Sequence, residues 1–237
     1  MKILLLRPKS MIAIKSIPLG VSYVSAYIKQ KTETDDIKII DNRVKQLPHH
    51  KLVKEVKAFK PDIIGISTMT IECKETHDLV KEIKKNYPDG VIVLGGNYPT
   101  TSPDWAMEDE NIDFIVKGEG ERTFLDLINR LEKNSDMSSA AGISYRENGR
   151  VIHNPLMSLI DPLDDLPFPD LDSLNIEQYF SHIYGYSHNV LQKEKRAIPI
   201  LTSRGCPYQC IYCHNTLGKI YRTHSPEYII HYIDTLV

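Results

Sequence analysis

No apolar run in the 237-residue sequence approaches the roughly 18 residues that a membrane-spanning helix needs. The opening "MKILLLRPKS" is too short for a signal peptide, and Arg7-Pro8 interrupts it. Charge of either sign is also not in excess: the formal net charge of −2 gives no electrostatic case for nucleic acid or an anionic membrane as a partner. Cysteine is scarce, with four residues in all and one of them isolated at Cys73. That is no extracellular disulfide framework, so a reducing cytoplasm is the expected compartment. Cys73 itself reads as a small hydrophobe in the core. No GxGxxG follows the first apolar run, which excludes a dinucleotide fingerprint there. The histidines are scattered without an HExxH pair, and none is assigned a catalytic role.

What is present is an alternation. Short β-branched runs at 2–6, 37–41, 62–67, 90–96 and 113–118 are separated by stretches with helical spacing, such as Val21, Val24 and Ile28, or Leu52, Val53 and Val56. Near-continuous apolar strands between helices describe a parallel sheet covered on both faces. The fold class is therefore α/β: residues 1–150 form a doubly wound parallel sheet of five strands, with an edge hairpin turning at Asn148-Gly149. Residues 151–195 form a connector rich in Pro and Asp, too interrupted for regular structure and too apolar for disorder. Its stretch 177–192 is rich in Tyr and His and ambiguous. In 196–237, "RAIPILTS" is strand-like, and 226–237 reads as a helix whose apolar side is Ile229, Ile233 and Leu236.

Ligands of such sheets sit beyond the carboxyl ends of the strands. The candidate rim combines "PLG" (18–20), "STMT" (67–70), "GGNYPTTSP" (95–103) and "GEGE" (118–121). Glycine lets a large ligand approach the backbone, and the hydroxyls offer hydrogen bonds. Glu119 and Glu121 disfavour a phosphate but can accept from amide or ribose hydroxyl groups. Tyr98 and Trp105 either wall such a pocket or simply pack.

Three of the four cysteines fall in "TSRGCPYQCIYC", residues 202–213. Thiolates are soft donors suited to zinc or iron–sulfur clusters. Structural zinc wants four protein ligands, and no fourth cysteine follows. A cubane cluster resolves the count: Cys206, Cys210 and Cys213 each take one iron and leave the last open to a small molecule. A zinc loop and an unmetallated cysteine cluster are the other readings of these residues. His214 reads as a surface or hydrogen-bonding residue.

The string "CPYQCIYC" after "TSRG" resembles the signature of radical S-adenosylmethionine enzymes. The resemblance implies a 4Fe-4S cluster held by Cys206, Cys210 and Cys213, S-adenosyl-L-methionine chelating the open iron, and Tyr212 on the adenine side of that cofactor. Arg204 is a weaker connector contact. "IPLGVSYVSAYI", "GGNYPT", "KGEGE" and "LPFPD" extend the resemblance over essentially the whole chain, to the cobalamin-binding subgroup of that superfamily. In that subgroup a Rossmann-like cobalamin-binding domain precedes a partial TIM-type (β/α) barrel, which implies that 1–150 is the former and 196–237 the beginning of the latter. It also implies cobalamin contacts at Ser67, Thr68, Gly95, Gly96, Thr100, Gly118 and Glu119, with Gly20, Thr101, Gly120 and Glu121 secondary. The DxHxxG segment of many cobalamin domains is missing; the loop after the first strand reads "PKSMIAIKS", so histidine ligation of cobalt is unsupported.

The implied function is that of the N-terminal part of a cobalamin-dependent radical enzyme, with methyl transfer to an unknown small-molecule substrate as the favoured chemistry. A reducing donor such as ferredoxin or flavodoxin would supply the electron. The alternatives are a radical S-adenosylmethionine enzyme without retained cobalamin, or a non-catalytic cobalamin-binding module. A full barrel would continue well past Val237, so the sequence reads as a fragment or truncated product, or as one whose partner chain supplies the remaining barrel.

Overall fold

The structure is a computed structural model and describes residues 1–11, 16–32, 36–180, 196–213 and 216–236. Five short apolar runs become parallel strands: β1 (Ile3–Arg7), β2 (Ile37–Asp41), β3 (Ile63–Ser67), β4 (Val91–Gly95) and β5 (Phe114–Val116). The hairpin β6 (Ile143–Glu147) and β7 (Arg150–His153) adds antiparallel to β5, giving the sheet order β2-β1-β3-β4-β5-β6-β7. Its turn residues Asn148 and Gly149 have φ of 50° and 76°, the left-handed pair that a tight hairpin requires.

Strand alternation decides the two cores. Leu4 and Leu6 of β1 face one side, where α3 (His49–Phe59) and α4 (Cys73–Asn86) bury Leu52, Val53, Val56, Leu79, Val80 and Ile83. Cys73 packs partly buried at the edge of that cluster. Ile3 and Leu5 face the other side, covered by Val21 and Ile28 of α1 (Leu19–Thr32) and by Phe124, Leu127 and Ile128 of α7 (Gly120–Glu132). Each such side chain removed from water contributes about 1.5–3 kcal/mol, an upper bound before conformational entropy is subtracted. The short helices α2 (Asn42–Lys45), α5 (Asn97–Thr101) and α6 (Pro103–Met107) fill strand-end loops.

After β7 the chain runs along α1. Asp170 accepts hydrogen bonds from Ser25 Oγ and Ser173 Oγ and an ion pair from Lys29 at 2.9 Å, while Ile160, Leu163 and Leu166 pack on Tyr23. A short helix, α8 (Glu177–Phe180), anchors Tyr179 under β2, its hydroxyl donating to Asp41 at 2.7 Å. The ambiguous stretch 177–192 otherwise falls mostly outside the described residues.

Two expectations for 196–237 change. The strand-like run yields only β8 (Ser203–Arg204), paired antiparallel with β9 (Arg222–Thr223), since Pro199 has no N–H to offer a ladder. The final helix forms as α9 (Pro226–Leu236), but its buried residue is Tyr232, while Ile233 stays 42% exposed. Phe168 of the connector explains the rotation: its ring stacks on Tyr232 at 4.8 Å and meets Tyr228 edge-on at 5.0 Å, so the aromatic face docks instead.

Candidate functional site

The carboxyl ends of β1, β3, β4 and β5 open into a cavity of about 310 Å³. Its floor and walls are mainly apolar, from Leu5, Val21, Val24, Val93, Val116 and Phe124. Gly20, Ser67, Gly95, Gly96, Thr100, Gly118, Glu119, Gly120 and Glu121 all line it, so four loops far apart in sequence meet at one place. Leu201, Arg204, Thr216 and Leu217, from the segment that carries the cysteines, close one side.

The glycines differ in what they do. A Cβ on Gly95 would meet nothing nearer than the Val116 carbonyl at 3.9 Å, and one on Gly20 nothing within 4 Å, so both leave room for a guest. Gly96 is needed for its backbone: φ is +92°, and a Cβ would come within 2.7 Å of the Thr68 carbonyl. Thr100 stitches two loops together, donating to the Gly96 carbonyl at 2.7 Å and accepting from the Gly118 N–H at 3.1 Å.

Thr68 and Thr101 lie apart from the cavity. Thr68 is buried with its hydroxyl against that of Thr76 at 2.8 Å and 3.3 Å from the Met69 carbonyl, and Thr101 donates to the Asn97 carbonyl at 3.0 Å. Tyr98 and Trp105 pack edge-to-face at 5.6 Å on the opposite side of the sheet and do not wall the cavity. His77 bridges two partners, its Nδ1 lying 2.8 Å from the Asp109 carboxylate and its Nε2 2.8 Å from the Tyr98 hydroxyl. Burial pushes the Tyr98 hydroxyl up to about 12, with nearby Cys73 and Glu108 adding to it.

The two carboxylates of the rim are committed within the protein, a role their sequence context did not reveal. Glu119 accepts from Arg222 Nη2 at 2.8 Å, Arg222 Nη1 at 3.1 Å, Arg204 Nη1 at 3.3 Å and the Ile160 N–H at 2.9 Å. Glu121 accepts from Arg204 Nη2 at 2.7 Å. Burial alone would raise the Glu119 carboxyl, but the bonds from Arg222 and Ile160 and the Arg204 charge prevail and hold it below the usual carboxylate range. Burial likewise disfavours the Arg204 charge, and Glu121 outweighs it.

The cysteine loop leaves from this cluster. Gly205 has φ of +84°, and a Cβ there would run into the Ile220 carbonyl, so glycine alone fits the exit. Cys206 N–H donates to the Gly218 carbonyl at 3.1 Å and Cys213 N–H to the Cys210 carbonyl at 3.0 Å. Cys206 is half-buried; Cys210 and Cys213 are exposed, as is Tyr212 at 84%. Among the described residues no group of three or more His, Cys, Asp or Glu is placed to hold a metal ion. The expected gathering of Cys206, Cys210 and Cys213 is thus not formed here. The donor types suit a thiolate-held cluster, but their positions do not define one, and thiolate sites commonly take shape only as metal binds.

The fold is an α/β domain with a cavity at its strand ends, joined to a cysteine-bearing segment. Residues 12–128 match the family model of the B12 binding domain. The chain is 35% identical to an uncharacterised methyltransferase of Pyrococcus horikoshii, over all of this chain and 50% of that protein. It is 31% identical to the anaerobic magnesium-protoporphyrin IX monomethyl ester cyclase of Rubrivivax gelatinosus, over 93% of this chain and 39% of that one. Among solved structures, the cobalamin-dependent S-adenosylmethionine radical enzyme OxsB, with aqua-cobalamin and S-adenosylmethionine bound, superposes with a TM-score of 0.82 at 25% identity, covering 98% of this chain and 31% of that one. The radical S-adenosylmethionine methyltransferase TsrM from Kitasatospora setae shares the fold, with a TM-score of 0.74 at 17% identity over 100% of this chain and 46% of that one. The chain is a Rossmann-like cobalamin-binding domain fused to a radical-SAM-like α/β region, the architecture of cobalamin-dependent radical S-adenosylmethionine enzymes. It spans half or less of the length of these relatives. Among the described residues no helix is long and apolar enough to cross a membrane.

Proposed function

We propose that this chain is a cobalamin-binding module, with the cavity at the strand ends as its corrinoid site. The observation that carries the reading is the meeting of Gly20, Ser67, Gly95 and Gly118 around one apolar hollow within the residues that match the B12 binding domain. A cavity of about 310 Å³ lies at the lower end of ligand-pocket sizes and would hold part of a cobalamin rather than all of it. Cobalamin, when bound, supplies a cobalt able to carry a methyl group. The chain's own contribution is an apolar floor that excludes water, glycines that admit the ligand to the backbone, and the Ser67 hydroxyl at the rim. Purification with hydroxocobalamin followed by cobalt quantification tests the reading; cobalt that does not stay with the folded chain refutes it.

A second reading is favoured by the CxxxCxxC thiols. In it the same chain contributes to radical S-adenosylmethionine methyl transfer on a small molecule, with a ferredoxin or flavodoxin as reductant. Cys206, Cys210 and Cys213 would then be drawn together by iron and sulfide, with Tyr212 moving toward the bound S-adenosylmethionine. The names of two relatives, both methyltransferases, support the reaction class. Oxygen-free reconstitution separates the readings: cobalt without stable iron supports the module alone, and iron with sulfide and S-adenosylmethionine binding supports the enzyme.

A further inference from the structure

Four buried charges connect the cavity rim to the neck of the cysteine loop. Arg204 lies two residues before Cys206, and Arg222 faces it across the β8–β9 pair, so the cysteine-bearing residues 205–213 leave from beside two arginine posts. Arg204 reaches both Glu119 and Glu121 at the start of α7, and Arg222 reaches Glu119. Exposures are 8% for Glu119, 2% for Glu121, 5% for Arg204 and 4% for Arg222, so each charge depends on the others for solvation. Three of the four, Glu119, Glu121 and Arg204, also line the cavity. Arg222 adds a bond to the Leu217 carbonyl at 3.1 Å, and Leu217 lines the cavity as well. Among the described residues the Arg204 Nε is buried without a hydrogen-bond partner, which leaves one donor on a cavity-lining residue for a ligand oxygen.

We propose that Arg204 and Arg222 are positioning residues that, through Glu119 and Glu121, lock the cysteine loop to the cavity wall, so that cobalamin seated in the cavity further restricts the loop. The coupling rests on the cobalamin reading above; the lock itself does not. Two of the ion pairs run from carboxylates at the N-cap and first turn of α7 to an arginine adjacent to Gly205, so a shift at the rim is delivered directly to the loop's exit. A ligand oxygen accepting from Arg204 Nε–H would give that buried nitrogen the partner it lacks and stiffen the same contact.

The test is the alkylation rate of Cys206, Cys210 and Cys213 under oxygen-free conditions, read by mass spectrometry on the chain as it stands, with Cys73 as internal reference. Without ligand, Glu121→Gln is expected to speed alkylation of the three loop thiols at least about fivefold relative to Cys73, the lower end of typical coupling between linked sites. Arg204→Lys, which keeps the charge but not the fork, is expected to fall between the wild type and Arg204→Met. Thermal unfolding identifies any variant that has not folded, and Arg204→Lys then carries the comparison. With hydroxocobalamin bound, the wild-type loop thiols slow by a similar factor. Loop rates that follow Cys73 in every ligand-free variant overturn the lock. Wild-type thiols indifferent to bound cobalamin overturn the coupling. Failure of the wild type to take up cobalamin removes the coupling and contradicts the cobalamin reading, while the ligand-free comparison still decides the lock.

Discussion

Gly95→Leu separates the cavity from the fold. Gly95 ends β4, is paired in register with Ser67 of β3, and its Cβ position is open apart from the Val116 carbonyl at 3.9 Å. A leucine there projects into an apolar hollow of about 310 Å³ and occupies a substantial part of it. Its own burial is favourable, so the melting temperature should stay within the range of an ordinary tolerated substitution, about 0.5 kcal/mol either way. A ligand forced against the new side chain meets overpacking worth about 1–3 kcal/mol, or roughly 5- to 150-fold in Kd. Equilibrium dialysis of hydroxocobalamin reads the affinity, and thermal unfolding followed by circular dichroism reads the fold. A folded Gly95→Leu protein that binds cobalamin as tightly as wild type would refute the placement of the ligand.

The remaining expectations concern the frame. Thr100→Val removes both bonds that join the Gly96 and Gly118 loops and should cost about 1 kcal/mol in urea unfolding, because a partly buried N–H loses its acceptor; an unchanged midpoint would show that the stitch is idle. Gly205→Ala should disrupt the β8–β9 neck and speed limited proteolysis around residues 203–206 while the seven-stranded sheet persists, and an unaltered cleavage pattern would contradict it. Acid should weaken the cluster. The Glu119 carboxyl is held below its ordinary value of 4.5, so its stabilisation is complete above that pH and is lost as the pH falls toward the lower folded value. Glu119→Gln should flatten this part of the pH–stability curve, and a curve of unchanged slope would rule the group out.

Much of the sheet is legible because its determinants are local. Period-two alternation in β1 assigns Leu4 and Leu6 to one core and Ile3 and Leu5 to the other, and Asn148-Gly149 announces its own turn. The rim is legible too, since glycines and hydroxyls that end apolar runs must lie at the strand ends. What escapes is non-local. Glu119 and Arg222 are over a hundred residues apart, and nothing near "GEGE" shows that both carboxylates are spoken for. Thr68 and Thr101 carry the same hydroxyl as Thr100, yet only the Thr100 hydroxyl bridges two rim loops, a distinction set by backbone direction. The docked face of α9 depends on Phe168, far upstream in a segment with no period to read. The cysteine spacing names a donor set, but the arrangement of the thiols depends on what they bind.

The most direct measurement is cobalt retained by the chain after loading with hydroxocobalamin and gel filtration. Cobalt equimolar with wild-type protein, and lost from a folded Gly95→Leu variant, is the expected result. A folded wild-type chain that elutes free of cobalt would contradict the cavity's assignment as a corrinoid site.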